Sequence, residues 1–135
     1  MRRAYPLLFF FLLGCTATGE PRALVRPLPD DSGAQPFPEL VKRGRAQAIA
    51  ATEALYIEDW TEADEAGKAL EQTARFLNKA TDVPDDKKDN LPALSGDLGE
   101  DASKFRAMVK AKDGDKANDV LARINFKLRK LGLKK

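Results

Sequence analysis

The sequence predicts an all-α protein, an antiparallel up-and-down four-helix bundle that follows a signal peptide and a proline-rich tether. Three observations lead to this fold class. From residue 39 onward the chain is rich in Ala, Leu, Lys, Glu and Asp, and only two of its eight prolines lie there. Apolar residues in this part recur three and four positions apart, and no alternating strand pattern occurs. Four amphipathic segments joined by short connections are typical of a bundle.

Residues 1–14 have the layout of a secretory signal peptide. Arg2 and Arg3 precede a short apolar run over residues 7–13. This run is too short to cross a bilayer as a helix. Residues 12–15, Leu-Leu-Gly-Cys, resemble the lipobox of bacterial lipoproteins. The resemblance implies cleavage before Cys15, acylation of Cys15 with chains such as palmitate, and a lipid-anchored protein of the bacterial cell envelope.

An ordinary secretory signal is the alternative interpretation. Residues 17–19, Ala-Thr-Gly, offer small side chains for a conventional cleavage, which would release a soluble exported protein. The lipoprotein interpretation is favoured because the only cysteine of the chain occupies the position that the lipobox requires. Thr16 is not the Asp that resembles an inner-membrane retention signal. We therefore expect a periplasm-facing protein, on the outer rather than the inner membrane.

The lipidated Cys15 is expected to begin a disordered tether over residues 15–38. Five of the eight prolines lie in this stretch, together with Gly, Asp, Ser and Gln residues. Because proline lacks a backbone donor and resists helix formation, the segment is expected to be extended and semi-rigid. Two interpretations remain open: a spacer that holds the domain away from the lipid headgroups, or a disordered segment with no required length.

The bundle domain is expected over residues 39–135. Its four helices are predicted at about the following residues: 38–59, 62–80, 91–112 and 115–131. Thr61 is predicted to cap the second helix and Asn90 the third. The apolar stripes predict which side chains face the core: Val41, Ala48, Ala51 and Leu55; Ala63, Ala66, Leu70, Ala74 and Leu77; Leu91, Leu94, Leu98, Ala102, Phe105 and either Met108 or Val109; Ala117, Val120, Leu121, Ile124, Leu128 and Leu131. Phe126 lies off the last stripe, so it is expected to be partly exposed.

The pair Asp59-Trp60 opens the second predicted helix, Ala and Leu recur at regular spacing after it, and residues 112–117 precede the last helix. These features resemble the cytochrome c-prime and soluble b-type cytochrome bundles. The family binds haem within the bundle, and its c-type members carry Cys-x-x-Cys-His on the last helix. Here residues 123–128 contain neither cysteine nor histidine. Met108 lies on the apolar stripe, where packing explains it. We therefore expect a bundle of that shape with no cofactor.

Composition excludes most catalytic arrangements. The chain has no histidine, so Ser-His and Cys-His pairs and a His-Glu-x-x-His zinc site are absent from its sequence. No glycine-rich phosphate loop is present, and no catalytic or metal-binding residue is predicted. The acidic residues around Pro84 and Gly114 are interpreted as helix caps, because their spacing is not that of a calcium loop. An enzyme is not expected.

The charge of the chain is divided unevenly. Without residues 1–14 the number of basic residues equals that of acidic ones, which argues against binding to nucleic acid. Residues 39–101 carry 8 basic and 15 acidic groups, whereas residues 102–135 carry 11 basic and 3 acidic groups. The last helix has basic residues on one side: Lys116, Arg123, Lys127, Lys130 and Lys134. This side either docks an anionic partner or balances the charge of the first two helices.

The sequence thus predicts a membrane-anchored, haem-free bundle that acts as a binding or structural module. Its expected partners are the lipid bilayer, through acylated Cys15, and an acidic envelope protein or an anionic polymer. The alternative is a cytochrome-like bundle that binds haem or another small ligand.

Overall fold

The computed structural model describes residues 20–132, and this part of the chain is all-helical. Six helices pack together, with these bounds: α1 Glu20–Val25, α2 Phe37–Tyr56, α3 Trp60–Leu77, α4 Asp85–Lys88, α5 Leu91–Lys110 and α6 Gly114–Gly132. No β-strand occurs among the described residues, where a single isolated bridge pairs Pro36 with Thr81. The predicted all-α class is confirmed for this part of the chain.

The four long helices, α2, α3, α5 and α6, correspond to the four predicted helices. Helices α2 and α5 each contact both α3 and α6, and the inward side chains form one core. The residues predicted to face the core are buried, except Leu94 and Met108, which are only partly buried. Val109, the alternative to Met108, is 1% exposed, and Phe126 is 50% exposed, as its position off the stripe predicted.

Two glycines allow close contact between neighbouring helices. A Cβ atom on Gly67 of α3 would lie 2.6 Å from Cγ of Arg106 and 3.0 Å from Cδ1 of Phe105, both on α5. A Cβ atom on Gly44 of α2 would lie 2.8 Å from a methyl carbon of Leu128 on α6. These distances are too short for real side chains, so the absence of Cβ lets Phe105 and Leu128 pack directly against the facing backbone.

The connection between α2 and α3 is a tight turn of residues 57–59. The backbone N–H of Glu58 donates to the carbonyl of Leu55 at 3.1 Å, and that of Asp59 donates to Ala54 at 2.8 Å. This pair of bonds is the Schellman motif, which requires a left-handed residue, and Glu58 has φ 56°. The side chain of Asp59 then accepts from the backbone N–H of Glu62 at 3.0 Å and caps α3.

The connection between α5 and α6 repeats this arrangement. Lys112 has φ 54°, and the N–H of Asp113 donates to the carbonyl of Met108 at 3.0 Å. The side chain of Asp113 accepts from the N–H of Lys116 at 3.1 Å. Each turn therefore ends one helix and caps the next within three residues, which returns the chain alongside itself.

The predicted helix caps are partly corrected by the structure. Thr61 lies inside α3. Asp59 is the N-cap, because its φ of −81° and ψ of 84° are not helical and its carboxylate accepts from the backbone N–H of Glu62. Asn90 does occupy the N-cap position of α5, but its side chain makes no capping hydrogen bond. Its φ of −97° and ψ of −12° are helical rather than extended, which is not the backbone conformation of a capping side chain.

The hairpins α2–α3 and α5–α6 are alike in design. Helices α2 and α5 both have 20 residues, and each begins with a large apolar residue followed by proline. Both connections have three residues and end on a capping Asp. Buried residues also fall at matching positions along the two hairpins, for example Ala51 and Phe105, and Leu70 and Ile124. The domain is therefore built from two equivalent helical hairpins, with the segment 78–90 between them.

The disordered tether expected over residues 15–38 differs from the structure in its described part. Residues 20–25 form α1, and residues 26–36, called the strap below, lie against α2 and α3. Gln72 of α3 accepts from the N–H of Leu28 at 2.7 Å and donates to its carbonyl at 2.7 Å. At the far end the N–H of Thr81 donates to Gln35 at 3.0 Å. These bonds pair backbone groups of Leu28 and Gln35, in a segment that composition alone marks as disordered.

Helix α1 is held on α2 by polar side chains. Nη1 of Arg43 donates to the carbonyl of Ala23 at 3.0 Å and to the carbonyl of Arg26 at 2.8 Å. Helix α1 ends at Val25, so both carbonyls lie near its C-terminal end. Burial lowers the pKa of Arg43, and Glu39 opposes that effect. Gln47 is fully buried and donates to the carbonyl of Leu24 at 3.4 Å. The signal peptide predicted for residues 1–14 and Cys15 lie outside the described residues.

Candidate functional site

The predicted basic side of α6 does not form one free surface. Lys116 lies at the start of the helix, where its Nζ pairs with Oδ2 of Asp113 at 2.8 Å. Arg123 and Lys127 lie in the middle and turn towards α5. Lys130 lies over the ring of Phe126, with 4.8 Å between Nζ and the ring centroid. Lys134 is outside the described residues.

Asp101 of α5 is the residue that organises this side of the molecule. Its side chain is only 6% exposed. Oδ2 of Asp101 accepts from Nζ of Lys127 at 2.6 Å, and Oδ1 accepts from Nε and Nη2 of Arg123, both at 3.3 Å. Lys127 also donates to the carbonyl of Asp97 at 3.1 Å. A buried carboxylate requires such compensation, because an unpaired charge in the interior is strongly unfavourable.

Of the two interpretations of the basic side, these contacts favour internal charge balance for Arg123 and Lys127. The sequence-based expectation placed the balanced charge on the first two helices. In the structure Arg123 and Lys127 pair instead with a single carboxylate on α5. Asp101 itself was missed, although a signal was available: it lies three residues after Leu98 and four before Phe105, both buried. A charged residue at an inward position predicts a partner on a neighbouring helix.

A second ionic cluster joins α3 to α5. Nε of Arg106 donates to Oδ1 of Asp64 at 2.8 Å, and Nη1 donates to Oε2 of Glu71 at 3.0 Å. The hydrogen bond from Arg106 holds the pKa of Asp64 below its usual range, and burial opposes this effect. The cluster lies on the helix pair that Gly67 brings together. It links α3 to α5 through one guanidinium and two carboxylates.

An open groove runs along the outer side of α2, and sequence reasoning did not find it. Its volume is about 700 Å³. The walls come from α1, α2, the segment around α4 and the end of α6, and they include Leu24, Val41, Ile49, Pro84 and Leu131. Ile49 is 59% exposed. No sequence pattern predicts this groove, because it is formed by residues far apart in the chain.

The groove is also lined by charged side chains. These are Lys42, Arg45 and Lys87, together with one acid, Asp86. Nζ of Lys87 donates to the carbonyl of Lys130 at 3.1 Å, at the C-terminal end of α6. Lys42 and Arg45 form no ion pair among the described residues. The groove thus combines an apolar wall with two cations that form no ion pair among the described residues.

Other exposed apolar residues lie at the turn after α2. Tyr56 is 89% exposed and Ile57 is 69% exposed.

Within residues 20–132 no helix has both the length and the apolar content needed to cross a membrane. In the same part of the chain, no three Cys, Asp or Glu side chains are grouped as a metal site requires.

Comparison with known proteins adds no relative. No family model matches the chain, and neither a curated protein nor a solved structure matches it.

Proposed function

We propose that this protein is a haem-free lipoprotein of the bacterial envelope that acts as a binding or structural module. The observation that carries the proposal is the position of Cys15 directly after Leu-Leu-Gly, at the end of a basic and apolar leader. Acylation of Cys15 would hold the domain on a membrane, since two or more acyl chains anchor a protein stably. Residue 16 is Thr rather than Asp, which supports a location on the outer membrane, facing the periplasm.

We also propose that the four long helices form an antiparallel, up-and-down bundle. Support comes from the two tight turns, 57–59 and 111–113, because a helical hairpin with so short a connection has antiparallel arms. Further support comes from the contacts, in which α2 and α5 each pack against both α3 and α6.

The strap changes how such an anchor would hold the domain. Residues 26–36 lie on α2 and α3, so they do not act as a long spacer. Only residues 16–19 separate Cys15 from α1. The five Cα–Cα steps from Cys15 to Glu20, at about 3.5 Å each, reach roughly 17 Å. We therefore propose that the domain lies close to the membrane surface rather than several tens of Å away from it.

The proposal is tested by cell fractionation of a Cys15→Ser variant. The thiol is the acylation site, so Ser at this position should leave the protein uncleaved or released from the membrane, and without incorporated palmitate label. Thr18→Ser is the matched control, because it is an equally small change that keeps the thiol, and it should fractionate like the unaltered chain. A Cys15→Ser protein with the same membrane fraction and the same mass as the control contradicts the proposal.

The alternative is a bundle that binds either haem or another small ligand, and the structure bears differently on these two possibilities. Between the long helices the interior is filled by fully buried side chains such as Phe105, Leu70 and Ile124, and none of these can ligate iron. No observation therefore favours haem. The groove along α2 does favour a small ligand, and its walls indicate which chemistry it would take.

A further inference from the structure

The groove along α2 has the composition of a site for an amphiphile. Its walls are mainly aliphatic and proline side chains, and its volume of about 700 Å³ lies within the usual range of ligand sites. Ile49 is the key wall residue, because it is 59% exposed although it lies on a helix whose other face supplies the core. Leu24 of α1 and Pro84 before α4 line the same groove.

The charges at the groove favour an anionic ligand. Lys87 is already engaged, since its Nζ donates to the carbonyl of Lys130 and lies 3.7 Å from Oδ2 of Asp86. This leaves Lys42 and Arg45, which are three positions apart on α2 and therefore lie on the same side of the helix. Both side chains are exposed and have no ion pair among the described residues.

The position of Arg45 is defined by a close approach to α6. A Cβ atom on Gly132 would meet the guanidinium of Arg45, so the glycine leaves the room that this side chain occupies. Arg45 therefore lies beside the C-terminal end of α6. The groove accordingly combines cations from α2 with an apolar wall.

We propose that this groove binds a long-chain fatty acid, with its acyl chain along Ile49 and its carboxylate at Lys42 and Arg45. A neutral lipid would leave both cations without a partner, and a sugar phosphate or nucleotide would leave the apolar wall uncovered. A fatty acid satisfies both features with one chain and one charge. The proposal goes beyond envelope anchoring and does not depend on acylation of Cys15.

The first test measures displacement of a fluorescent fatty acid by palmitate, using the full chain with Cys15→Ser throughout. Ile49→Glu places a carboxylate on the apolar wall and should weaken palmitate binding by about tenfold, which equals about 1.4 kcal/mol. Tyr56→Glu is the matched control, because it makes the same kind of change at an exposed position on the same helix outside the groove. The control should change the affinity by less than about twofold. Circular dichroism checks that both variants keep their helix content.

The second test addresses the head group. Lys42→Gln with Arg45→Gln should weaken palmitate by about tenfold and leave hexadecanol, the neutral analogue, unchanged. Lys68→Gln with Arg75→Gln removes the same charge from α3 outside the groove and serves as the control. The proposal is overturned if palmitate does not bind, if Ile49→Glu behaves like Tyr56→Glu, or if hexadecanol binds as tightly as palmitate. Stronger displacement by phosphatidylglycerol vesicles than by palmitate would overturn the choice of a single-chain ligand.

These results are independent of the anchoring test. Loss of palmitate binding in Ile49→Glu supports the groove even if Cys15→Ser leaves fractionation unchanged. Conversely, failure to bind palmitate leaves the membrane anchoring of the unaltered chain intact.

Discussion

The contact between Lys127 and the buried carboxylate of Asp101 gives the sharpest prediction about this fold. Lys127→Met removes the ammonium group and keeps most of the aliphatic stem. The change breaks the 2.6 Å bond to Asp101 and the 3.1 Å bond to the carbonyl of Asp97. Asp101 then keeps only Arg123, whose two bonds are longer, at 3.3 Å, and whose side chain is 51% exposed.

The expected cost follows from burial. A hydrogen bond to a charged group contributes about 1.5–3 kcal/mol, and removing one member of a buried ion pair costs about 3–5 kcal/mol. Because Arg123 still partly compensates Asp101, we expect about 2–3 kcal/mol for Lys127→Met. At about 4 °C per kcal/mol for a domain of this size, the melting temperature should fall by roughly 8–12 °C. Lys130→Met, which loses only a cation–π contact, should cost less than about 1 kcal/mol.

Thermal and urea unfolding followed by circular dichroism measure these differences. The double variant Asp101→Asn with Lys127→Met should lose less stability than the sum of the two single variants, because the buried charge is then gone. The reasoning is refuted if Lys127→Met and Lys130→Met have equal small effects and the double-mutant cycle shows no coupling. That result would mean that Lys127 is not paired with Asp101 in solution, and it would favour a basic docking surface on α6.

Two further predictions concern the core and the second ionic cluster. Phe105→Ala should cost about 3–5 kcal/mol, because the ring is fully buried, whereas Phe126→Ala should cost less than about 1 kcal/mol; equal losses in urea unfolding would contradict the assignment of buried faces. The pKa of Asp64 is held below its ordinary value of 3.8 by Arg106, so its stabilising effect is present above that value and is lost as the pH falls through the lowered pKa. Asp64→Asn should therefore be less stable than the unaltered chain at pH 7, and melts between pH 7 and pH 2 should show the difference disappearing at the acid end; a constant difference would mean that the carboxylate charge plays no part.

The long helices could be predicted because their signal is local. The spacing of Leu98, Ala102 and Phe105 on one helix identifies its buried face without any knowledge of the neighbours. The same logic placed Phe126 off the buried stripe. Helix ends are less certain, since Asp59 and Thr61 are both good capping residues and only the backbone of the turn selects Asp59.

The strap could not be predicted from composition. Five prolines lie among residues 16–38, and such a segment has few ways to satisfy its backbone by itself. The partners that hold it are Gln72 and Arg43, which read as ordinary polar residues on α3 and α2. A long-range contact between a side-chain amide and a backbone group leaves no periodic signal in either segment.

The groove was missed for the same reason. Its aliphatic wall combines Ile49 of α2 with Leu24 of α1 and Leu131 of α6, which come together only when the whole chain has folded. Ile49 alone would not have revealed it, since single exposed apolar residues are common on protein surfaces.

The likeness of the two hairpins explains why Arg123 and Lys127 of α6 face a buried carboxylate. Gln47 of α2 is fully buried and accepts from the hydroxyl of Thr73 on α3 at 2.8 Å. Asp101 and Lys127 occupy the matching positions on α5 and α6, and their bond is also short, at 2.6 Å. The same place in each hairpin thus carries one buried polar pair, neutral in the first and ionic in the second. Had α6 been selected only to attract an external anion, no buried carboxylate would be needed at the matching place.

The strap lies on the first hairpin, and the second hairpin has no equivalent segment among the described residues. In the first hairpin Gln72 holds the strap through two bonds to Leu28. The residue at the matching position of the second hairpin is Phe126, which is half exposed and carries Lys130 over its ring. The ring of Phe126 cannot donate and accept hydrogen bonds with a backbone as the amide of Gln72 does, so a second strap could not bind there in the same way. The outer side of α2 is also left partly open beside α1, with Ile49 and two cations facing solvent, which is why we place the ligand there rather than on α6.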